Sequence, residues 1–158
     1  MDFPIRFPKV ICPHHPIYFD FIQSLKLHSG RDFGKGKVNS TAAVYAYPDT
    51  LRAQVPNLDQ AAGLQAAVWT EQIHTPERLW FMIFPRLTAL AESAWTSASR
   101  KDYADFSRRL PAHFAYLNQR GINSYNLLNP QSTPEVLGPA KSVRIDDGWG
   151  KTKSGKSK

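Results

Sequence analysis

Tyr18 and Asp20 stand two residues apart, and Trp69 and Glu71 repeat the arrangement. Alternate side chains of an extended chain leave the same face, so each pair sets an aromatic ring beside a carboxylate. That combination suits a sugar. The ring packs on pyranose C–H groups, and the carboxylate accepts hydrogen bonds from hydroxyls. Each pair closes an apolar, strand-like run. At the C-terminal ends of parallel barrel strands, two such pairs would converge on one pocket. The same residues have structural uses, since Tyr and Trp pack half-buried and Asp and Glu cap turns. Spacing alone leaves both uses open.

Other reactive side chains offer less. Cys12 and His14 could share a face, but two ligands do not complete a metal site. Cys12 is the only cysteine, which excludes an internal disulfide framework and a multi-cysteine zinc site. His14 and His15 are adjacent and point apart on a strand. His74 and His113 read as surface or interface residues rather than bases. Lys35-Gly-Lys37 lacks the spacing of a phosphate-binding loop. Arg86, beside Pro85 on a helix, reads as a structural ion-pair or hydrogen-bonding residue rather than a substrate ligand. No metal and no cofactor is expected.

The 158 residues, 42% hydrophobic and 21% charged, suit one ordinary globular domain. No uncharged apolar stretch reaches the roughly 18 residues of a membrane-spanning helix. A net charge of +7 raises the question of a polyanionic partner. The distribution argues against one: Lys151 to Lys158 holds four lysines and no acid, and elsewhere the cations are interspersed with Asp and Glu. A solvated tail accounts for this, so neither nucleic acid nor membrane is expected as a partner.

The elements that must carry these residues alternate in type. Phe7–Cys12 and Ile17–Ile22 suit strand ends and loops at a sheet edge. Residues 25–40 are rich in Gly, Lys and Ser and read as a loop, and Ala42–Tyr47 is a short apolar piece. Gly63 reads as a turn before a buried strand over Leu64–Trp69. Thr75-Pro76-Glu77 is a helix start: cap, proline at the first position, acid in the first turn. Leu79, Ile83, Leu87, Leu90, Ala91 and Trp95 then recur at helical spacing, with a kink or two abutting helices expected at Pro85. Ser99–Asn118 reads as a further helix, with Tyr103, Phe106, Leu110, Phe114 and Leu117 on one face. Pro111 is expected to interrupt it and Gly121 to stop it. From Asn129 the periodicity disappears and an extended or disordered tail is expected. Strand, connection, strand and helices in this order fit part of a parallel α/β architecture.

Several segments resemble glycoside hydrolase family 20, the β-N-acetylhexosaminidases. Gly63-Leu-Gln-Ala-Ala-Val-Trp-Thr-Glu71, followed by Ile83-Phe-Pro-Arg-Leu-Thr-Ala-Leu-Ala-Glu-Ser-Ala-Trp95, is similar to the family's last strand and helix. Val10-Ile-Cys-Pro, Tyr18-Phe-Asp20 and Gln23-Ser24 resemble the preceding strand and its tyrosine-x-aspartate motif. Val44-Tyr-Ala-Tyr-Pro48 resembles the segment between them. Asp105-Phe106, Arg109-Leu110, His113, Leu117 and Gly121-Ile122 resemble the closing helix. The matches run in order from about Lys9 to Ile122.

This resemblance implies an α/β fold, the C-terminal fragment of a (β/α)8 TIM barrel holding about strands 7 and 8 with their helices. Residues 1–127 would form that part of the barrel and residues 128–158 an extended or disordered basic tail. Tyr18 would hydrogen-bond the carbonyl oxygen of a substrate's 2-acetamido group. Asp20 and Glu71 would hold hydroxyls of the terminal sugar, and Trp69 would form a wall under it. In this family the acetamido oxygen attacks the anomeric carbon, giving an oxazolinium intermediate with retention. The partners implied are glycans ending in N-acetylglucosamine or N-acetylgalactosamine, and the missing N-terminal part of the barrel. Periplasmic, secreted and lysosomal compartments are all compatible with the family.

The family's general acid is a Glu preceded by an Asp, and no Asp-Glu dipeptide occurs in this sequence. Asp146-Asp147 lies past the closing helix and does not take the role. A complete barrel needs about 250 residues, so the chain reads as the last quarter of one, with Met1 an internal or misassigned start. The fragment alone is therefore expected to be inactive. Two rivals stand beside this reading. One is a truncated carbohydrate-binding or vestigial protein without activity. The other is a small basic protein that holds polyanions through its lysine tail.

Overall fold

A computed structural model describes residues 9–27, 36–51 and 61–137. Strand β1 (Lys9–Ile11) runs parallel to β2 (Ala61–Leu64), with Ile11 opposite Leu64. The ladder then breaks. Pro13 and Pro16 have no N–H to give to it, and the chain between them makes the single turn α1 (His14–Ile17). Pairing resumes beyond the turn. Ala67 N–H donates to the Ile17 carbonyl at 3.1 Å, Phe19 N–H donates to the Ala67 carbonyl at 2.8 Å, and Tyr18 stands opposite Ala67. A further parallel bridge joins Ile22 to Val38.

This arrangement corrects the expected second strand. Gly63 lies inside β2 rather than in a turn before it, and no continuous strand reaches Trp69. The reason is the partner. While β1 loops out over Cys12–Pro16, the stretch from Ala66 onward has nothing to pair with on that side until Ile17 returns. Leu58–Gln60, Phe7 and Pro8 lie outside the described residues.

Helices α2 (Thr41–Ala46), α3 (Pro76–Ile83), α4 (Arg86–Trp95) and α5 (Tyr103–Gln119) supply the rest of the core. Thr75 caps α3 as expected, its hydroxyl accepting from Arg78 N–H. The apolar repeat divides at Phe84-Pro85 into two abutting helices. Val44 and Tyr45 of α2, Ala89 and Leu90 of α4, and Phe106, Leu110 and Phe114 of α5 form one buried cluster with Ile17 and Phe19. Leu64, Ala66 and Val68 pack against it. These alternate residues define the helix-facing side of the sheet.

Helix α5 runs unbroken through Pro111, contrary to the expected interruption. Pro111 sits on the exposed face, so the one hydrogen bond it cannot make leaves a carbonyl at the solvent side, where water can satisfy it. The end of α5 is as expected. Gly121 has φ +69°. Its N–H donates to the Asn118 carbonyl and that of Ile122 to the Leu117 carbonyl, both at 3.0 Å, which is a Schellman closure. Gly121→Val is expected to cost about 1–2 kcal/mol, since a β-branched residue pays to enter the left-handed region. Chemical denaturation of the two chains checks this.

The segment expected as a tail is described as far as Leu137. Within it Glu135 pairs with the buried Arg78 at 2.5 Å, and Arg78 also donates to the Val136 carbonyl at 3.0 Å. Residues 138–158, with the lysine-rich end, lie outside the described residues. No helix among the described residues is long and apolar enough to cross a membrane.

Candidate functional site

Ile17 and Phe19 face the helices and are fully buried, so the alternation of an extended chain turns Tyr18 to the opposite side. Leu64, Ala66 and Val68 face the helices too, which turns Ala67 and Trp69 away. Parallel pairing of Tyr18 with Ala67 sets Asp20 near Trp69, whose main-chain N–H acts on its carboxylate. Tyr18 and Trp69 leave the sheet on the side away from the helices, and Asp20 and Glu71 lie in the turns that follow.

The four side chains differ in environment. Trp69 is 52% exposed, and Glu71 is exposed. Tyr18 is partly buried, with its ring edge-on to His14 at 4.6 Å and to Phe21 at 6.2 Å. Asp20 is only 1% exposed. Neither of its carboxylate oxygens meets hydrogen-bond geometry with a described group.

Desolvation is the largest influence on Asp20 and holds its carboxyl above the usual range; the nearby Glu71 carboxylate adds to the rise. The main-chain N–H groups of Asp20 and Trp69 and the Arg86 guanidinium oppose it. A buried carboxylate with acceptor capacity left over can take hydroxyls that arrive with a ligand.

The sign of the linkage follows from the raised value. Folded chain holds the Asp20 proton more tightly than unfolded chain, so stability is full below the unfolded pKa and is lost as pH rises through the folded one. Asp20→Asn, standing in for the protonated acid, is expected to stabilise the chain at pH 7 by on the order of 1 kcal/mol. The gain should vanish near pH 3. Thermal melts of both chains at the two pH values check it.

Arg86 lies where the apolar pattern of α4 meets the sheet, and it is hydrogen-bonded as expected. Its guanidinium is fully buried. It donates to the carbonyls of Phe19 (2.6 Å), Phe21 (2.8 Å), Asn39 (3.1 Å) and Met82 (2.5 Å). Burial lowers its pKa to about 9, so it stays charged at neutral pH.

Two positioning side chains carried no assigned role in the sequence. Asn39 is fully buried and donates to the His14 and Tyr18 carbonyls at 2.9 and 2.8 Å. Gln23 donates to the Phe81 carbonyl at 2.6 Å and the Phe84 carbonyl at 3.2 Å. Asn39 sits in a stretch whose composition reads as loop, and nothing in the pattern marks it. Gln23 had a signal in its place within the matched motif.

The remaining candidates stay apart from this end of the sheet or add little to it. Cys12 is partly buried, and His14 is exposed and lies against the Tyr18 ring. His15 shares a hydrogen bond with the Asn39 side chain at 2.6 Å. His74 is exposed. His113 meets Thr88 at 2.8 Å between α5 and α4, and burial lowers its pKa, in keeping with an interface residue. Lys35 lies outside the described residues.

A family model described as glycosyl hydrolase family 20, catalytic domain, matches residues 6–98. The chain is 40% identical over 90 residues to a β-hexosaminidase of Porphyromonas gingivalis, covering 56% of this chain and 11% of that protein. It is 40% identical over 92 residues to a β-N-acetylhexosaminidase of Cellulomonas fimi, covering 58% of this chain and 17% of that one. A family 20 exo-β-N-acetylglucosaminidase from Vibrio harveyi, solved with N-acetylglucosamine, superimposes with a TM-score of 0.59 at 30% identity, over 74% of this chain and 18% of that chain. A β-N-acetylhexosaminidase from Bacteroides fragilis superimposes with a TM-score of 0.62 over 83% of this chain and 26% of that one, and at 20% identity it speaks to the fold alone.

Proposed function

Because the chain belongs to glycosyl hydrolase family 20, we propose that it is a part of a β-N-acetylhexosaminidase barrel that supplies sugar-subsite residues and lacks the proton donor. Residues 1–127 correspond to about strands 7 and 8 with their helices, and residues 128–158 to a tail outside the barrel. The substrates are glycans ending in N-acetylglucosamine or N-acetylgalactosamine. The remainder of the barrel, with the Asp-Glu pair, is the partner this part requires.

The parallel register carries the reading. Tyr18 opposite Ala67 sets Asp20 near Trp69, and Glu71 lies near enough to act on the Asp20 carboxyl. An exposed indole, a desolvated carboxylate and a second acid at one end of a parallel sheet suit one pyranose ring. The Trp69 face packs on its C–H groups. Asp20 and Glu71 accept its hydroxyl hydrogens. Tyr18 donates its hydroxyl to the acetamido carbonyl oxygen. That oxygen attacks the anomeric carbon as the glycosidic bond breaks, and the departing oxygen takes its proton from an acid outside this sequence.

A graft tests the subsite. The aligned segment of the Cellulomonas fimi relative is replaced by residues 6–98 of this chain. In the graft, Trp69→Ala and Glu71→Gln are each expected to weaken N-acetylglucosamine binding about tenfold, the scale of a lost aromatic contact for Trp69 and of a lost charge-assisted hydrogen bond for Glu71. Turnover falls with binding, because both groups hold the ring in ground and transition states alike. Unchanged affinity in both folded variants would contradict the assignment.

A further inference from the structure

We propose that Arg86 is a positioning residue: it clamps the main chain on both sides of Asp20 and sets a buried positive charge near that residue, so that the carboxylate meets the sugar correctly aimed. The inference rests on the subsite reading of Asp20 and adds to it the group that prepares that residue.

The carbonyls that Arg86 holds are those of Phe19, at 2.6 Å, and Phe21, at 2.8 Å, the residues on either side of Asp20. A third donation, to the Asn39 carbonyl at 3.1 Å, secures the residue whose side-chain amide donates to the Tyr18 carbonyl at 2.8 Å. The carbonyls of residues 18, 19 and 21 are thus fixed from one buried cation, directly or through Asn39. The Met82 carbonyl, on the preceding turn, holds the guanidinium in place, and the Phe19 ring lies under it at 4.7 Å.

A planar fork with five donors suits this task; a lysine has one charge and no fork. Among the described residues the guanidinium donates to main-chain oxygens and to no carboxylate, so no contact there neutralises its charge. The charged groups that act on the pair among the described residues are Asp20, which favours the charged guanidinium, Arg78, which opposes it, and Glu71, which acts on Asp20. Such a cation offsets part of the cost of a dry carboxylate.

The test follows the Asp20 carboxyl by carbon-13 NMR across pH in the full 158-residue chain. Arg86→Met is expected to raise the Asp20 midpoint by about one pH unit or more. Arg86→Gln, which keeps donors and loses the charge, should raise it similarly and decides the matter if the Met variant does not fold. Arg86→Lys, which keeps the charge, should leave the midpoint near that of the wild-type chain. A midpoint unmoved in the neutral variants, with native-like spectra, would overturn the proposal.

N-acetylglucosamine added to the same samples separates the two claims. A raised midpoint in the neutral variants, with no sugar response from the wild-type chain, upholds the clamp and removes the subsite reading. A sugar response with an unmoved midpoint overturns the clamp and leaves the subsite reading standing.

Discussion

The purified 158-residue chain, made in a host free of hexosaminidase, is expected to leave a chromogenic N-acetylglucosaminide at its background rate of hydrolysis. Leaving-group protonation needs a positioned acid, a contribution of about 10² to 10⁴-fold. The family resemblance implies an acid from an Asp-Glu pair, and the sequence contains no such dipeptide. Asp20 is the acid with the raised pKa, yet it lies near Trp69 in the proposed sugar floor rather than beside a departing oxygen. Glu71 is exposed. Neither is expected to substitute for that donor. Robust turnover by the purified chain would show that one of them does, or that the acid lies elsewhere.

Tyr18→Phe in the graft should lower kcat by about 10²-fold, the scale of misplacing a reacting atom. The phenol hydroxyl holds the acetamido oxygen in the orientation from which it attacks, so the loss falls more on kcat than on KM. Packing should survive the change. The Tyr18 ring is edge-on to His14 and Phe21, and phenylalanine keeps those contacts. Steady-state kinetics with a circular dichroism control separates the two effects. A graft that retains its kcat with Phe at this position would remove Tyr18 from the chemistry.

Much of this site was legible because its parts are local. The i, i+2 spacings of Tyr18 with Asp20 and of Trp69 with Glu71 keep each pair together even though its acid lies in a turn. The Thr75 cap and the Gly121 stop depend on their own turn alone, and both are as the sequence implies. Arg86 announced itself as a cation in an apolar helical pattern, which must find buried acceptors. What escaped was set by partners distant in sequence. Strand β2 begins and ends where β1 is present to pair with it, so an apolar run from Leu64 to Trp69 misplaced it. Pro111 breaks a helix only where its missing bond cannot be hydrated, and its face is decided by packing. Asn39 acts through the carbonyls of residues more than 20 positions away, and no local pattern records that.

On the proposed reading, residues 6–98 are a working sugar-subsite portion of a family 20 barrel that needs the rest of the barrel with its Asp-Glu pair. The most direct measurement is the rate at which the Cellulomonas fimi graft releases chromophore from an N-acetylglucosaminide, beside its parent enzyme. Tyr18, Asp20, Trp69 and Glu71 then meet a proton donor they lack here. Turnover within about tenfold of the parent is expected, with a loss on Tyr18→Phe as above. A graft that folds and binds the sugar yet turns over no faster than the isolated chain would contradict that reading.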